Sequence, residues 1–429
     1  QFVSTGRGGL PPTPSSHLTG STLLNDLGVW ATIAGRETDF RTIQNNEPSV
    51  QEAQGWMVAT NGKVHLTAAP ANQASAGSFD RLLPAAAQAY TQADYAQAAN
   101  LWEQALTASA PEDAVLRISI LSNLALAYHQ LGQWEQALEA IATSQQQLTP
   151  ELANASPQLL AQHLSAQASL HFALGQTTEA INTWQQAAAA YGQAGDESGQ
   201  RQALLNQNQG LQSLGFYRQA ETQLNQLLSE VNSELSQAKL GEAELAEQTL
   251  AQTPSQMRAI ALLRLGGIQR ARGDQLAAQQ TLEEAIAIAK TLSHPTITST
   301  ALLNLGHIAR DSNNLEQALA YYQTSLETAP TPLGQVQAQL SQLGLRIDQN
   351  PTAAPRLWAE IEPSLQQQMG NLPTSRESIN TKLHLAQILL QTDLAKTHSD
   401  SVTALLASAL QQAQALTDPI AEGYAWGYQ

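Results

Sequence analysis

The sequence predicts a mainly α protein, a solenoid of helical hairpins preceded by a small, loop-rich segment with one β-hairpin. Three observations carry this prediction. The chain has 429 residues, of which 42% are hydrophobic but only 5% aromatic and 13% charged; Ala, Gln and Leu, all good helix formers, fill the difference. That length exceeds what one ordinary core serves, so domains or repeats are expected. From Phe79 onward, apolar residues recur at spacings of three and four, broken by Gly or Asn turns, and the unit repeats.

Residues 1–78 hold most of the Gly, Thr, Ser and Pro punctuation, as in TGRGGLPPTPSS and AAPANQASAGS, and read as a β/loop-rich segment. Within it, GWMVATNGKVHLTA places Asn61-Gly62 between two alternating stretches. Asn-Gly accepts the positive φ of a type I′ turn, which predicts a hairpin near 56–66. STLLNDLGVW (21–30) fits a strand or a short helix equally. With few large side chains, this segment is expected to lean on another surface.

Residues 79–330 carry the repeats. Small residues that open each second helix align as Ala98, Ala137, Ala180, Ala220, Ala278 and Ala318, at intervals of 39, 43, 40, 58 and 40. Five residues before each lies a turn position: Ala93, Gly132, Gly175, Gly215, Gly273 and Asn313. Gly and Asn tolerate the left-handed conformation that ends a helix. Four residues after each anchor comes a bulky residue, Trp102, Ile141, Trp184, Leu224, Leu282 or Tyr322, expected to fill the groove against the neighbouring helix pair. The 58-residue interval contains SEVNSELSQAKLGEAELAEQTLAQTPSQ, read as an extended helix plus an additional helix. Residues 331–429 keep helix pairs but are expected to lose the small-residue code. IAEGYAWGYQ reads as the opening of a further helix, so a piece of a longer polypeptide is expected.

This pattern resembles the tetratricopeptide repeat. Segment 301–330 matches it through Leu302, Leu305, Gly306, Leu315, Ala318, Tyr322 and Pro330, and segment 121–144 through Leu121, Leu124, Ala125, Tyr128, Gly132, Trp134 and Ala137. The resemblance implies a right-handed superhelix whose concave face binds protein or peptide. Its period departs from the 34 residues of the family, and most units run near 40. Longer helices and longer connections between units, such as TPELANASPQ, are expected to account for the excess.

At the front, TGRGGLPP with EAQGWMVATNGKVHLTA resembles the C-terminal tail of cyanobacterial secreted proteins of the filamentous haemagglutinin type, some fused to tetratricopeptide repeats and a caspase-like CHAT domain. That resemblance implies export to the cell surface or medium, with the cytoplasm as the alternative. CHAT chemistry needs a His and a Cys, and the chain has no Cys, so no catalytic residue carries over.

Charge and motifs narrow the function classes. The net charge of −16 disfavours nucleic acid and anionic lipid. No run of eighteen apolar residues exists, so no transmembrane helix is predicted. TGRGG is followed by Leu10-Pro11-Pro12 rather than a helix, which leaves no helix N-terminus for a phosphate. His129, His163, His171, His294, His307 and His384 are scattered without metal-ligand spacing and read as groove or surface residues. There is no Gly-x-Ser-x-Gly elbow. No catalytic, cofactor or metal residue is therefore assigned.

The remaining surface is the inner face of the first helices, projected to expose Ser122, Leu126, His129, Ser165, Ser169, Phe172, Leu205, Gln209, Gln212, Leu263, Arg270, Leu303, His307 and Arg310. Family members that clamp a terminal carboxylate carry Lys and Asn there, and this chain carries mainly Ser, Gln and Leu. The functional expectation is an exported, non-enzymatic scaffold that binds protein and stacks head to tail with copies of itself. The alternative is a sensor module controlling a CHAT protease.

Overall fold

The computed structural model of the chain describes residues 76–91, 94–238, 244–372, 374–390, 392, 394, 398–416 and 419–427. The hairpin expected near 56–66, the 21–30 stretch, the TGRGG turn and the turn position Ala93 lie outside these residues. Helices α1 (Ala76–Thr91) and α2 (Tyr95–Ala108) form the first pair. Then come α3 (Ala114–Gln130) with α4 (Trp134–Gln147), a short α5 (Pro150–Ala155) within TPELANASPQ, and α6 (Pro157–Ala173) with α7 (Thr177–Ala194). The chain continues through α8 (Glu197–Ser213) with α9 (Tyr217–Ala238), α10 (Glu244–Ala271) with α11 (Gln275–Thr291), and α12 (Pro295–Asp311) with α13 (Leu315–Thr328). Beyond Pro330, α14 (Pro332–Gln349) pairs with α15 (Ala354–Gly370), α16 (Arg376–Leu390) with α17 (Ser399–Ala415), and α18 (Pro419–Gly427) follows.

Helices of a pair pack on each other, while α3 packs on α6, α8 on α10, α10 on α12, α12 on α14 and α14 on α16. First helices therefore make one layer and second helices the other, the mainly α helical-hairpin solenoid that the sequence predicts. Among the described residues there is no strand.

The turn inside each pair follows one local recipe. Gly132, Gly175, Gly215, Gly273 and Asn313 all take positive φ, from 60° at Asn313 to 85° at Gly273. The next N–H reaches back five residues, Gln133 to the Tyr128 carbonyl and Asn314 to that of Ala309, both at 2.8 Å, closing the last turn of the first helix. Where the following residue is Asp or Asn it also caps the second helix: Asp274 accepts from the Ala277 N–H at 3.2 Å. Asp274→Ala is expected to cost about 1 kcal/mol. An unchanged urea midpoint would show that this cap contributes nothing.

All six anchor alanines are fully buried, and twelve residues before each lies a buried crossing residue on the first helix: Ala86, Ala125, Ala168, Asn208, Gly266 or Gly306. A Cβ added at Gly266 would sit 2.6 Å from Leu282 Cγ, and one at Gly306 would enter the ring of Tyr322. The bulky residue thus closes the crossing inside its own hairpin, which corrects the expectation that it fills a groove against the neighbouring pair. It lies one helical turn past the anchor, directly over the antiparallel helix it has just left.

Two further expectations are corrected. Residues 244–256 are not an additional helix; they run continuously into α10, which reaches 28 residues. The small-residue code also outlasts Pro330 by one unit, since Ala354 and Trp358 repeat the four-residue step at 2% and 1% exposure. A 3₁₀ turn, Pro351–Ala353, replaces the glycine turn there and hides the signal.

The coil also meets itself. Trp134, at the start of α4, packs against the apolar cluster of α14 to α18, and a Cβ on Gly132 would lie 3.8 Å from Thr374.

Candidate functional site: the inner face of the first helices

The projected groove is narrower than its sequence suggests. Ser122, Leu126, Phe172, Leu205, Gln209, Gln212, Leu263, Leu303 and His307 are buried, whereas His129, Ser165, Ser169, Arg270 and Arg310 are partly exposed. Helices α10, α12 and α14 each lie between two other first helices and their own partner, so only a thin stripe stays open there. Ser122 Oγ is 3.3 Å from Ser144 Oγ, and the Phe172 ring is 5.5 Å from that of Trp184. His307 Nδ1 is 2.8 Å from the Tyr322 hydroxyl. Leu126, Leu205, Leu263 and Leu303 belong to apolar clusters. These nine residues hold the hairpins together, which corrects their projected exposure.

Buried amides appear where other units place Ala or Gly. Asn208 donates to the Ala220 carbonyl at 2.7 Å and accepts from Gln212 Nε2 at 2.7 Å. Gln342, twelve residues before Ala354, donates to Gln323 Oε1 at 2.9 Å. A buried amide is tolerated at a crossing because it finds such partners.

Ser144 and His163 form a buried dyad. Ser144 Oγ is 2.9 Å from His163 Nδ1, and His163 Nε2 is 2.7 Å from Gln145 Oε1. An amide oxygen only accepts, so Nε2 carries the proton and Nδ1 accepts from the serine hydroxyl. Both residues are 0% exposed, so no substrate reaches the hydroxyl. Burial holds the imidazole pKa down at about 4. This network is core, which corrects the placement of His163 on a groove or surface. Among the described residues, no group of three His, Asp or Glu is arranged to hold a metal ion.

Positive charge gathers instead. Arg264, in the apolar run IALLRLGG of α10, is 1% exposed, donating to the Leu205 carbonyl at 2.5 Å and to Gln209 Oε1 at 3.3 Å. Burial lowers its pKa to about 9, which leaves it charged at neutral pH. Six residues on, Arg270 lies 4.0 Å from Asp311, and Arg310 of α12 lies 3.2 Å from the same carboxylate. The fields of Arg270, Arg310 and His384 add to burial in holding His307 well below the usual imidazole range. Burial, then Arg310, lowers His384 of α16 to about 4. Three first helices therefore bring basic groups to one region of the inner face. The signal for Arg264 was present in the sequence, a lone cation among the seven apolar or small residues of IALLRLGG.

Stacked helical hairpins with Ala or Gly at most crossings and positive-φ turns define a tetratricopeptide-type solenoid. Tetratricopeptide repeats are detected by family models at residues 257–331 and 120–145. In fold the chain is similar to the apo quorum sensor NprR from B. thuringiensis, with a TM-score of 0.56 and 13% identity, over 89% of this chain and 97% of that one. It is also similar to a Rap protein complexed with competence and sporulation factor, with a TM-score of 0.52 and 14% identity, over 90% and 99%. The apo form of RapI gives 0.50 at 12% identity, over 93% and 99%. No curated protein matches the chain in sequence. No helix of the described residues is long and apolar enough to cross a membrane.

Proposed function

We propose that this chain is a non-enzymatic scaffold whose inner face holds a polypeptide partner. The observation that carries this reading is the partly open stripe on stacked first helices, which Ser165 and Ser169 line with small polar side chains and where Arg270 and Arg310 offer charged hydrogen-bond donors beside tightly packed hairpins. Such donors suit a backbone or side-chain oxygen, each bond adding about 0.5–1.5 kcal/mol. A similar fold complexed with competence and sporulation factor supports it by analogy. Selection from a displayed peptide library, followed by hydrogen exchange of the complex, is expected to show protection in α10 and α12. Protection confined to second helices, or no selected peptide, would remove the reading.

The scaffold is further read as exported and associating head to tail. Trp426 of α18, 58% exposed, is the apolar side chain that favours contact with another copy, and export draws on the resemblance of residues 1–78. Sedimentation velocity should show association that rises with concentration; monomer at every concentration would exclude it. A regulatory role toward a CHAT protease draws on the same resemblance, and predicts that the purified chain changes the rate of such a protease.

A further inference from the structure

Acidic residues outnumber basic ones 36 to 20 in this chain, yet the inner face of α10 and α12 reverses that balance. Arg270 and Arg310 converge on a single carboxylate, Asp311, with the imidazoles of His307 and His384 in the same field. One carboxylate between two guanidiniums neutralises one charge of the two, and each guanidinium has five donors. The Arg310 side chain is 31% exposed, within reach of solvent.

Register extends the feature. Arg270 and Arg310 each stand eight residues before an anchor, Ala278 and Ala318, and Arg346 stands eight before Ala354. Arg346 is exposed on α14, the first helix that packs beside α12. Three consecutive first helices thus carry Arg at one position, where the preceding three carry His129, Phe172 and Gln212.

We propose that this arginine stripe, on the polypeptide-binding reading above, selects an extended acidic peptide with carboxylates three residues apart, one at Arg310 and the next at Arg346, while Arg270, its side chain 7% exposed, holds Asp311 from below. Packed helices lie about 8–10 Å apart. A polyproline II chain returns a side chain to the same face every three residues and advances about 9 Å in doing so. The two repeats match, and the planar guanidinium fork favours carboxylate over neutral amide.

The test is fluorescence anisotropy with the full chain and labelled eleven-residue Pro/Ala-rich peptides carrying Glu at i and i+3, Gln at the same places, or Glu at i and i+2. The i, i+3 Glu peptide is expected to bind at least tenfold more tightly than the Gln peptide, less so as salt rises, and more tightly than the i, i+2 form. Arg310→Glu is expected to shift the preference toward a peptide with Lys at i and Glu at i+3, a swap that a purely structural arginine would not produce. Arg346→Gln, at an exposed site, should weaken the Glu peptide without changing the circular dichroism spectrum. Equal binding of Glu and Gln peptides overturns the inference and leaves the scaffold reading in place. Absence of binding by these peptides and by every library peptide overturns both.

Discussion

Gly306→Leu is expected to lower the unfolding free energy by about 1–3 kcal/mol, the range for overpacking a tight core. The backbone of α12 comes so close to α13 that even a Cβ would enter the Tyr322 ring, and Tyr322 is 0% exposed with its hydroxyl bonded to His307. The ring cannot swing outward without breaking that bond and opening the crossing. A shift in the urea midpoint at constant slope would measure the loss. A cycle with Gly306→Ala and Tyr322→Leu provides the control: the smaller side chain should absorb the added methyl, so the double variant should lose less than the two single losses summed. Strict additivity would mean the two helices do not meet as described.

Acid should destabilise the fold well above the pH at which carboxylates protonate. His163 is buried and neutral, with both ring nitrogens bonded, and takes a proton near pH 4 when folded. In the unfolded chain it takes one near pH 6.5. Between these values the unfolded state holds more protons, so stability is full above pH 6.5 and falls as pH drops toward 4. His307 is lowered in the same direction by burial and by Arg270 and Arg310, and the partly exposed His384 adds to the trend. For the fully buried His163 the loss is on the order of 1–3 kcal/mol. Urea unfolding at pH 7.5 and at pH 4.5 would reveal it. His163→Gln keeps a hydrogen-bonding group without the proton and should flatten the pH slope by close to one proton. An unchanged slope would show that His163 is not the group that titrates.

Much of the solenoid was legible in the sequence because its rules are local. The Gly132, Gly175, Gly215, Gly273 and Asn313 turns follow from spacing, and each demands a left-handed φ that few residues accept. The buried anchors from Ala98 to Ala318 were found because six short-range repeats of one pattern reinforce each other. Asn208 and Gln342 carry no such mark as crossing residues, since an amide there works by finding a partner on another helix.

The inner face was much less legible. Periodicity put Ser122, Phe172 and His307 on the concave side, but it carries no information on how closely the next pair stacks, and stacking buried them. Arg270 and Arg310 were visible singly; their convergence on Asp311 depends on the offset between α10 and α12, across 40 residues.

The sequence by itself determined the helices, their turns and the pairing within each hairpin, because those depend on backbone conformation and side-chain size over a few residues. The tertiary structure alone decided which inner positions stay open, how the Trp134 edge meets the C-terminal cluster, and where basic groups collect in an acidic chain. These depend on the angle and spacing between successive pairs, and contacts across such distances leave no periodic mark along the chain.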